Sequence, residues 1–188
     1  MKLTRLHIKN MVCPRCIRAV EQTLTEMQIP YRSVSLGTAI VEVSKTELNW
    51  KLLSNKLYQS GFELLIDKND RLVEQIKTVI IDFIHHQNIP RQNISKYIGR
   101  QMGKDYSALS KIFSEKEGIG IEKYVILQKV EKIKELLTYD ELTVSEIAYR
   151  LGYSSVPHLS AQFKKITGIS PSQFKKNKNL RRRFIDQI

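Results

Sequence analysis

The chain has 188 residues, enough for one large domain or two small ones, and it carries a net charge of +12. Its two cysteines are too few for a secreted disulfide scaffold, and no apolar stretch approaches the roughly 20 residues that cross a bilayer. The first residues, MKLTRLHIKN, lack the apolar core of a signal peptide, so we expect a cytoplasmic protein. The basic charge favours a polyanionic partner, most commonly nucleic acid, over a basic protein without such a partner.

The first third of the chain alternates strand and helix patterns, which predicts an α+β domain over residues 1–66. Strands are indicated by alternating apolar residues, and helices by apolar residues three or four positions apart. In chain order the patterns are a strand at Leu6 and Ile8, a helix from Ile17 to Met27, a hairpin from Val34 to Val43 that turns at Gly37, a helix at Leu48, Leu52 and Leu57 that ends at Gly61, and a strand at Phe62, Leu64 and Ile66. The order β-α-β-β-α-β is that of the ferredoxin-like arrangement.

Cys13 and Cys16 lie between the first strand and the first helix, in the run Met11-Val-Cys-Pro-Arg-Cys16. Both sulfurs can point at one ion, and the N-terminus of the following helix favours thiolates. Two thiolates suit a soft ion in near-linear coordination, such as Cu(I) or mercury, whereas structural zinc needs four ligands. A dithiol redox switch is an alternative use of the same pair, and a domain retained for protein contacts is another.

With this Met-x-Cys-x-x-Cys loop in this place, the first 66 residues resemble the heavy-metal-associated domain of copper chaperones and metal-pumping ATPases. The resemblance implies Cu(I) or another soft metal ion as the cofactor, held by Cys13 and Cys16. It places Phe62 where that family has a side chain shielding the metal loop. The partners it implies are the metal ion or a protein that donates it. We interpret His7, on the first strand, as structural.

Residues 67–71, Asp-Lys-Asn-Asp-Arg, are polar without a period and predict a linker, after which residues 72–177 show only helical patterns. One apolar face runs from Leu72 to Phe83. His85 and His86 follow at a helix end, where we expect both to be solvated. Residues 178–188 form a basic tail, which we interpret either as a solvated end or as a phosphate contact.

The helical part of the chain repeats itself. The run Leu109-Ser-Lys-Ile-Phe113, followed by Gly118 and Tyr124, recurs fifty residues later as Leu159-Ser-Ala-Gln-Phe163, followed by Gly168 and Phe174. In each copy a glycine turn and a capping residue precede the second helix: Gly103 and Asp105 in the first, Gly152 and Ser154 or Ser155 in the second. Two copies on a basic chain predict tandem helix-turn-helix units, each with a recognition helix for a major groove.

The segments Ser145-Glu-Ile-Ala-Tyr-Arg-Leu-Gly-Tyr153, Phe163-Lys-Lys-Ile-Thr-Gly168 and Ser170-Pro171 resemble the DNA-binding domain of the AraC/XylS family of bacterial regulators. The resemblance spans residues 71–177. It implies an all-helical domain of two three-helix units joined by one long helix, at about Ile121–Leu137. Their recognition helices would enter successive major grooves roughly 34 Å apart.

Matched by position, the resemblance assigns base contacts to two groups of residues. They are Ser107, Ser110 and Lys111 in the first recognition helix, and Val156, Pro157, His158, Ser160 and Ala161 in the second. Val156 and Ala161 can touch a thymine methyl group but cannot make bidentate contacts to a base. We therefore expect the second unit mainly to hold phosphates, through Lys164, Lys165 and helix N-termini.

The sequence shows no catalytic triad, paired carboxylates or phosphate loop, so we expect a protein that is not an enzyme. It predicts a transcription regulator that binds double-stranded DNA sequence-specifically and responds to a soft metal through the CxxC loop. The alternative from another class is a metal carrier or thiol redox protein with an accessory nucleic-acid-binding domain. A third interpretation is an architectural DNA binder with little sequence preference. No membrane partner is expected.

Overall fold

A computed structural model describes residues 3–86, 93–176 and 185 of the chain. The chain divides into two compact units, Met1–Thr78 and Val79–Ile188. Within the described residues, no helix combines the length and apolar character needed to cross a membrane.

The first unit contains a small antiparallel sheet and two helices. Its elements are β1 (Thr4–Lys9), α1 (Pro14–Glu26), β2 (Tyr31–Ser35), β3 (Thr38–Val41), α2 (Trp50–Gln59) and β4 (Glu63–Leu64). The strands are ordered β2-β3-β1-β4, and every neighbouring pair is antiparallel. Leu6 and Ile8 of β1 are buried in one core with Leu24 of α1 and Leu53 of α2. The order of elements is the one that the apolar pattern predicts.

Two predicted apolar positions of the first unit face solvent instead of the core. Helix α2 begins at Trp50, where the Asn49 side chain accepts a hydrogen bond from the Leu52 backbone N–H. Its buried stripe is therefore Leu53 and Leu57, four residues apart, and Leu52 is 48% exposed. Ile66 is 79% exposed, because β4 ends at Leu64 before reaching it.

The segment predicted as a linker is the start of a helix, α3 (Lys68–Ile81). Asp67 caps this helix, since its Oδ1 accepts hydrogen bonds from the backbone N–H groups of Asn69 and Asp70 at 2.8 and 3.0 Å. The first turn of α3 is polar and exposed or half-buried, so it carries no apolar period in the sequence. The helix runs past Thr78 into the second unit and continues as a π-helical turn, Asp82–His86.

The described part of the second unit is helical. Its helices are α4 (Ile94–Met102), α5 (Tyr106–Glu117), α6 (Ile121–Tyr139), α7 (Val144–Arg150), α8 (Val156–Thr167) and α9 (Pro171–Lys176). The long helix α6 contributes Val130, Ile133 and Leu137 to a core that it shares with α7, α8 and α9. The predicted tail, residues 178–188, lies outside the described residues except for Ile185.

Candidate nucleic-acid interface and dithiol loop

The first helix-turn-helix unit is formed by α4 and α5. Gly103 ends α4 with φ of 59°, in the left-handed region that glycine adopts without strain. Asp105 caps α5, since its carboxylate accepts hydrogen bonds from the backbone N–H groups of Ser107 and Ala108 at 2.9 and 3.3 Å. The glycine turn and the cap at Asp105 thus lie where the sequence predicts them.

The second unit, α7 and α8, uses the same construction with different capping residues. Thr143 and Glu146 form a reciprocal capping box at the start of α7. Gly152 has φ of 70° in the turn. Ser155 caps α8 by accepting a hydrogen bond from the backbone N–H of His158 at 3.2 Å. Of the two capping serines that the sequence offers, the cap at the α8 backbone is Ser155.

The buried faces of α5 and α8 repeat as closely as their caps do. Leu109 and Phe113 of α5, like Leu159 and Phe163 of α8, are fully buried. Phe113 lies edge-on to Tyr124 with ring centroids 5.5 Å apart, and the ring of Phe163 lies 5.7 Å from that of Phe174, also edge-on. Both helices end at a left-handed glycine. In each copy, the face of the recognition helix opposite these buried residues is therefore exposed to solvent.

The structure places the predicted contact residues of α5 on that outer face. Ser107 and Lys111 are exposed and Ser110 is half-buried. The hydroxyl of Ser107 donates a hydrogen bond to the Asp105 carboxylate, so toward a base it can act only as an acceptor. Lys111 is the long cationic side chain among the three.

The predicted contact residues of α8 are also on its outer face. Pro157, His158 and Ala161 are exposed, as are Lys164 and Lys165 in the last turn, while Val156 and Ser160 are half-buried. The Nδ1 atom of His158 lies 3.0 Å from the Ser154 hydroxyl, and its ring lies edge-on to that of Tyr153. Because Ser154 and Tyr153 fix the His158 ring, this side chain is more preorganised than its sequence position indicates.

Sequence reasoning missed two residues that hold the second unit in place. The Lys129 Nζ donates a 2.7 Å hydrogen bond to the Leu151 carbonyl at the end of α7 and lies 5.1 Å from the centre of the Tyr153 ring. The Tyr153 hydroxyl donates a 2.6 Å hydrogen bond to Gln162 of α8. Burial lowers the pKa of Lys129 and raises that of Tyr153. No local pattern marks these contacts, since they join residues of α6, α8 and the turn.

The expectation that His85 is solvated is wrong. Its Nε2 lies 3.0 Å from Oε1 of Gln128, whose amide donates to the Tyr124 hydroxyl at 3.0 Å and to the Ile185 carbonyl at 3.2 Å. Because the Gln128 amide nitrogen donates to these two oxygens, the Gln128 Oε1 must accept the hydrogen bond from His85. His85 therefore carries its ring proton on Nε2. Burial lowers the pKa of His85 to about 4, and its Nδ1 is buried without a hydrogen-bond partner among the described residues. His86, the next residue, is exposed.

The dithiol loop of the first unit brings its two sulfurs together. The Sγ atoms of Cys13 and Cys16 are 3.4 Å apart, and both residues are half-buried at the start of α1. Met11 is 1% exposed and therefore belongs to the core. Phe62 is also buried in that core. No third His, Cys, Asp or Glu joins the two thiols to form a metal-binding cluster within the described residues.

The two thiols differ in acidity. Burial opposes ionisation of Cys13, but the backbone N–H groups of Cys16 and Arg15, the Cys16 thiol and the Arg15 charge together lower the pKa of Cys13. Burial raises the pKa of the Cys16 thiol, and the hydrogen bond and charge of Cys13 raise it further. Cys13 is therefore the sulfur that ionises first.

The chain is similar to known proteins in sequence and in fold. Residues 98–177 match a family model described as "Helix-turn-helix domain". An uncharacterized HTH-type transcriptional regulator of Staphylococcus aureus, SAS0078, is 30% identical over 120 residues, which cover 64% of this chain and 15% of that protein. The chain thus aligns with less than a sixth of the length of that relative.

Two solved structures share the fold. The C-terminal domain of AraT, a response regulator from Geobacillus stearothermophilus, is 24% identical with a TM-score of 0.50, covering 61% of this chain and 95% of that one. ToxT from Vibrio cholerae is 16% identical with a TM-score of 0.51, covering 87% of this chain and 68% of that one. The second unit of this chain therefore carries a helix-turn-helix domain, and the chain shares the fold of these two structures.

Proposed function

We propose that this chain is a bacterial transcription regulator that binds duplex DNA sequence-specifically through α5 and α8. The observation that carries the proposal is the duplication itself. Two helix-turn-helix units with equivalent caps, buried faces and aromatic pairs each leave one helix face exposed. A single such hairpin is common among helical proteins, whereas two copies joined by one long helix on a basic chain form a two-groove reader.

The two recognition helices differ in the contacts they offer. The face of α5 carries Lys111 and Ser110, which can donate hydrogen bonds to base edges in a major groove. The face of α8 carries Ala161 and Val156, which offer apolar contact to thymine methyl groups, and His158, which offers a ring nitrogen. Lys164 and Lys165 supply phosphate contacts. In this proposal α5 contributes most of the base discrimination and α8 contributes more of the general affinity.

Replacing Lys111 with alanine is expected to weaken binding to the preferred site by about 1–3 kcal/mol and to relax preference at one or two base pairs. The affinity of fluorescently labelled duplexes, measured by anisotropy for the preferred site and its single-base variants, gives both quantities. Lys116→Ala, in the last turn of the same helix, is the matched control and should leave base preference unchanged. If Lys111→Ala weakens binding equally on all sequences, Lys111 contacts phosphate and its assignment as a base reader is incorrect.

For the first unit, we propose a ferredoxin-like domain of the heavy-metal-associated type that binds Cu(I) or another soft ion at Cys13 and Cys16. Two half-buried thiols 3.4 Å apart, one of them with a lowered pKa, fit an ion that needs two sulfur ligands. The same pair does not fit structural zinc, since no third ligand is present among the described residues. When bound, the ion would order the loop by fixing both sulfurs at one point.

The metal proposal predicts one equivalent of Cu(I) bound by the wild-type chain and none by Cys13→Ser/Cys16→Ser. Competition with a chromophoric Cu(I) chelator under reducing, anaerobic conditions measures the stoichiometry. Met11→Leu is the matched control, because Met11 is buried in the core and should not alter the stoichiometry. Equal Cu(I) retention by wild type and the double serine variant excludes this site.

The loop and α3 are joined within the first unit, which gives a route for metal responsiveness. The Asn10 backbone N–H donates a 3.0 Å hydrogen bond to Glu74 of α3, and α3 continues to Ile81. A coupling of about 1–3 kcal/mol, or 5–150-fold in DNA affinity, is typical of such systems. DNA affinity measured for wild type and Cys13→Ser/Cys16→Ser, each with and without Cu(I), tests it. Equal affinities in all four samples would mean that the first unit does not regulate DNA binding and is a docking or delivery module.

The thiol pair also supports the alternative of a redox protein, since sulfurs in non-bonded contact at 3.4 Å could form a disulfide if they moved to the roughly 2 Å bond length. A metal carrier or thiol redox protein with an accessory nucleic-acid-binding domain would bind duplexes without sequence preference. An architectural binder would do so too. Sequence-specific retention of duplex DNA therefore separates the regulator from both.

A further inference from the structure

A cavity of about 280 Å³ lies in the first unit, beside the half of β1 that β4 does not cover. Strand β4 pairs with β1 only at Ile8 and Lys9, and the last backbone contact runs from the Leu65 N–H to the His7 carbonyl at 2.8 Å. Three residues separate the end of β4 from the start of helix α3, which Asp67 caps. The early end of β4 leaves space beside Arg5 and Leu6.

The walls of this cavity are largely apolar. Leu6, Leu64 and Leu65 line it together with Trp50, and the exposed Ile66 lies at its rim. The indole N–H of Trp50 donates a 2.8 Å hydrogen bond to the Lys45 carbonyl. The ring therefore contributes only its apolar surface to a ligand, and the hydrogen bond to Lys45 fixes its position.

The charged side chains that line the cavity all carry the same sign. Arg5, Lys45 and Arg71 line it, and none of the described residues that line it is acidic. Arg71 is half-buried and donates a 3.2 Å hydrogen bond from Nε to the Asp67 carbonyl, which fixes its guanidinium near the cavity. Burial, followed by the charges of Arg71 and Arg5, lowers the pKa of His7 and keeps its ring neutral at pH 7. The cavity thus combines three cationic side chains with an apolar surface.

We propose that this cavity binds an organic anion, specifically a carboxylate on an apolar body, with the carboxylate at Arg71 and Arg5 and the apolar part against Trp50 and Leu64. A guanidinium binds a carboxylate through paired charge-assisted hydrogen bonds, which the partly apolar surroundings strengthen. An inorganic anion would leave the apolar wall in contact with water. A neutral apolar molecule would desolvate the cations without compensating their charge.

This site is separate from the dithiol loop. None of residues 10–16 lines the cavity, and the cysteine loop follows the opposite end of β1. All of its lining residues belong to the first unit. The proposal is therefore independent of the DNA-binding function, and its failure would leave that function untouched.

Trp50 is the one tryptophan in the sequence, so intrinsic fluorescence of the full-length chain reports directly on this cavity. We would titrate the chain with 4-cyclohexylbutanoate and, separately, with its primary amide, which has the same shape without the charge. The carboxylate should give a saturable change in Trp50 emission and bind at least about tenfold more tightly than the amide. Isothermal calorimetry should give the same affinity and one site.

Arg71→Gln should weaken carboxylate binding by about tenfold and leave amide binding unchanged, since it removes one of the cations that hold the anion. Lys56→Gln, an exposed residue of α2 that does not line the cavity, is the matched control and should bind like wild type. Arg5→Gln tests the other arginine, which lies on β1, in the same way. Circular dichroism shows whether either variant is misfolded. Equal binding of carboxylate and amide, or unchanged carboxylate binding in a folded Arg71→Gln or Arg5→Gln variant, overturns the proposal.

Discussion

Replacing Phe163 with alanine is expected to lower the free energy of unfolding by about 3–5 kcal/mol. Its ring is fully buried in α8 and lies 5.7 Å from that of Phe174, so the substitution leaves a cavity at the centre of the second helix-turn-helix unit. Urea unfolding followed by circular dichroism measures this loss in the free energy of unfolding. Tyr149→Ala is the matched control, because this aromatic residue on α7 is 61% exposed, and its substitution should stay within about 0.5 kcal/mol.

Phe163→Ala also tests whether the two recognition helices bind DNA independently. Because Phe113 and Phe163 stabilise different copies, Phe163→Ala should remove protection from the part of a footprint that α8 covers and retain the part that α5 covers. A cost below about 1 kcal/mol would show that α8 is not held by the core described for it. Loss of both halves of the footprint together would show that the two copies do not bind as separate units.

Lowering the pH from 7 to 4 is expected to remove about 3 kcal/mol of stability from the second unit through His85 alone. The pKa of His85 is about 4 in the folded chain and 6.5 in a model peptide, so the unfolded state binds the proton more readily. Stability therefore falls as the pH drops from about 6.5 to about 4 and changes no further through this group below that. The physical cause is burial, which outweighs the opposite effect of the hydrogen bond between Nε2 and Gln128.

Urea unfolding across this pH range, compared between wild type and His85→Gln, isolates the contribution. The glutamine amide can still donate to Gln128, but it cannot titrate, so the pH dependence that belongs to residue 85 should disappear. His86→Gln is the matched control, because His86 is adjacent and exposed and its substitution should retain the wild-type slope. Equal slopes in wild type and His85→Gln would mean that His85 is accessible to protons in the folded state.

The parts of the fold that the sequence predicts correctly are those fixed by local interactions. Glycine turns and side-chain caps, such as Gly103 with Asp105, act within four residues of the backbone they stabilise. The strand and helix order of the first unit follows from apolar periodicity, which is also local. The residues predicted to contact bases in α5 and α8 are exposed or half-buried, because the buried stripe of each helix consists of other positions.

The features that the sequence does not predict depend on residues far apart in the chain. His85 is bonded to Gln128 on α6, which in turn bonds Tyr124, and no local pattern distinguishes His85 from the exposed His86. Leu52 and Leu53 are both leucines, and Leu53 is the one that packs in the core with residues of β1 and α1. Asp67 belongs to a polar stretch that resembles a linker in composition, but its side chain caps α3. The contact of Lys129 with the α7 turn has the same non-local origin.

The central claim, that α5 and α8 together read duplex DNA, is tested most directly by selecting binding sites from random duplexes with the full-length chain and footprinting the enriched sequence. We expect enrichment of one strongly specified segment for α5 and a weaker segment centred about 10–10.5 base pairs away for α8. Protection should extend over both segments on one face of the duplex. Absence of any enriched sequence, or protection confined to a single major groove, would contradict the account.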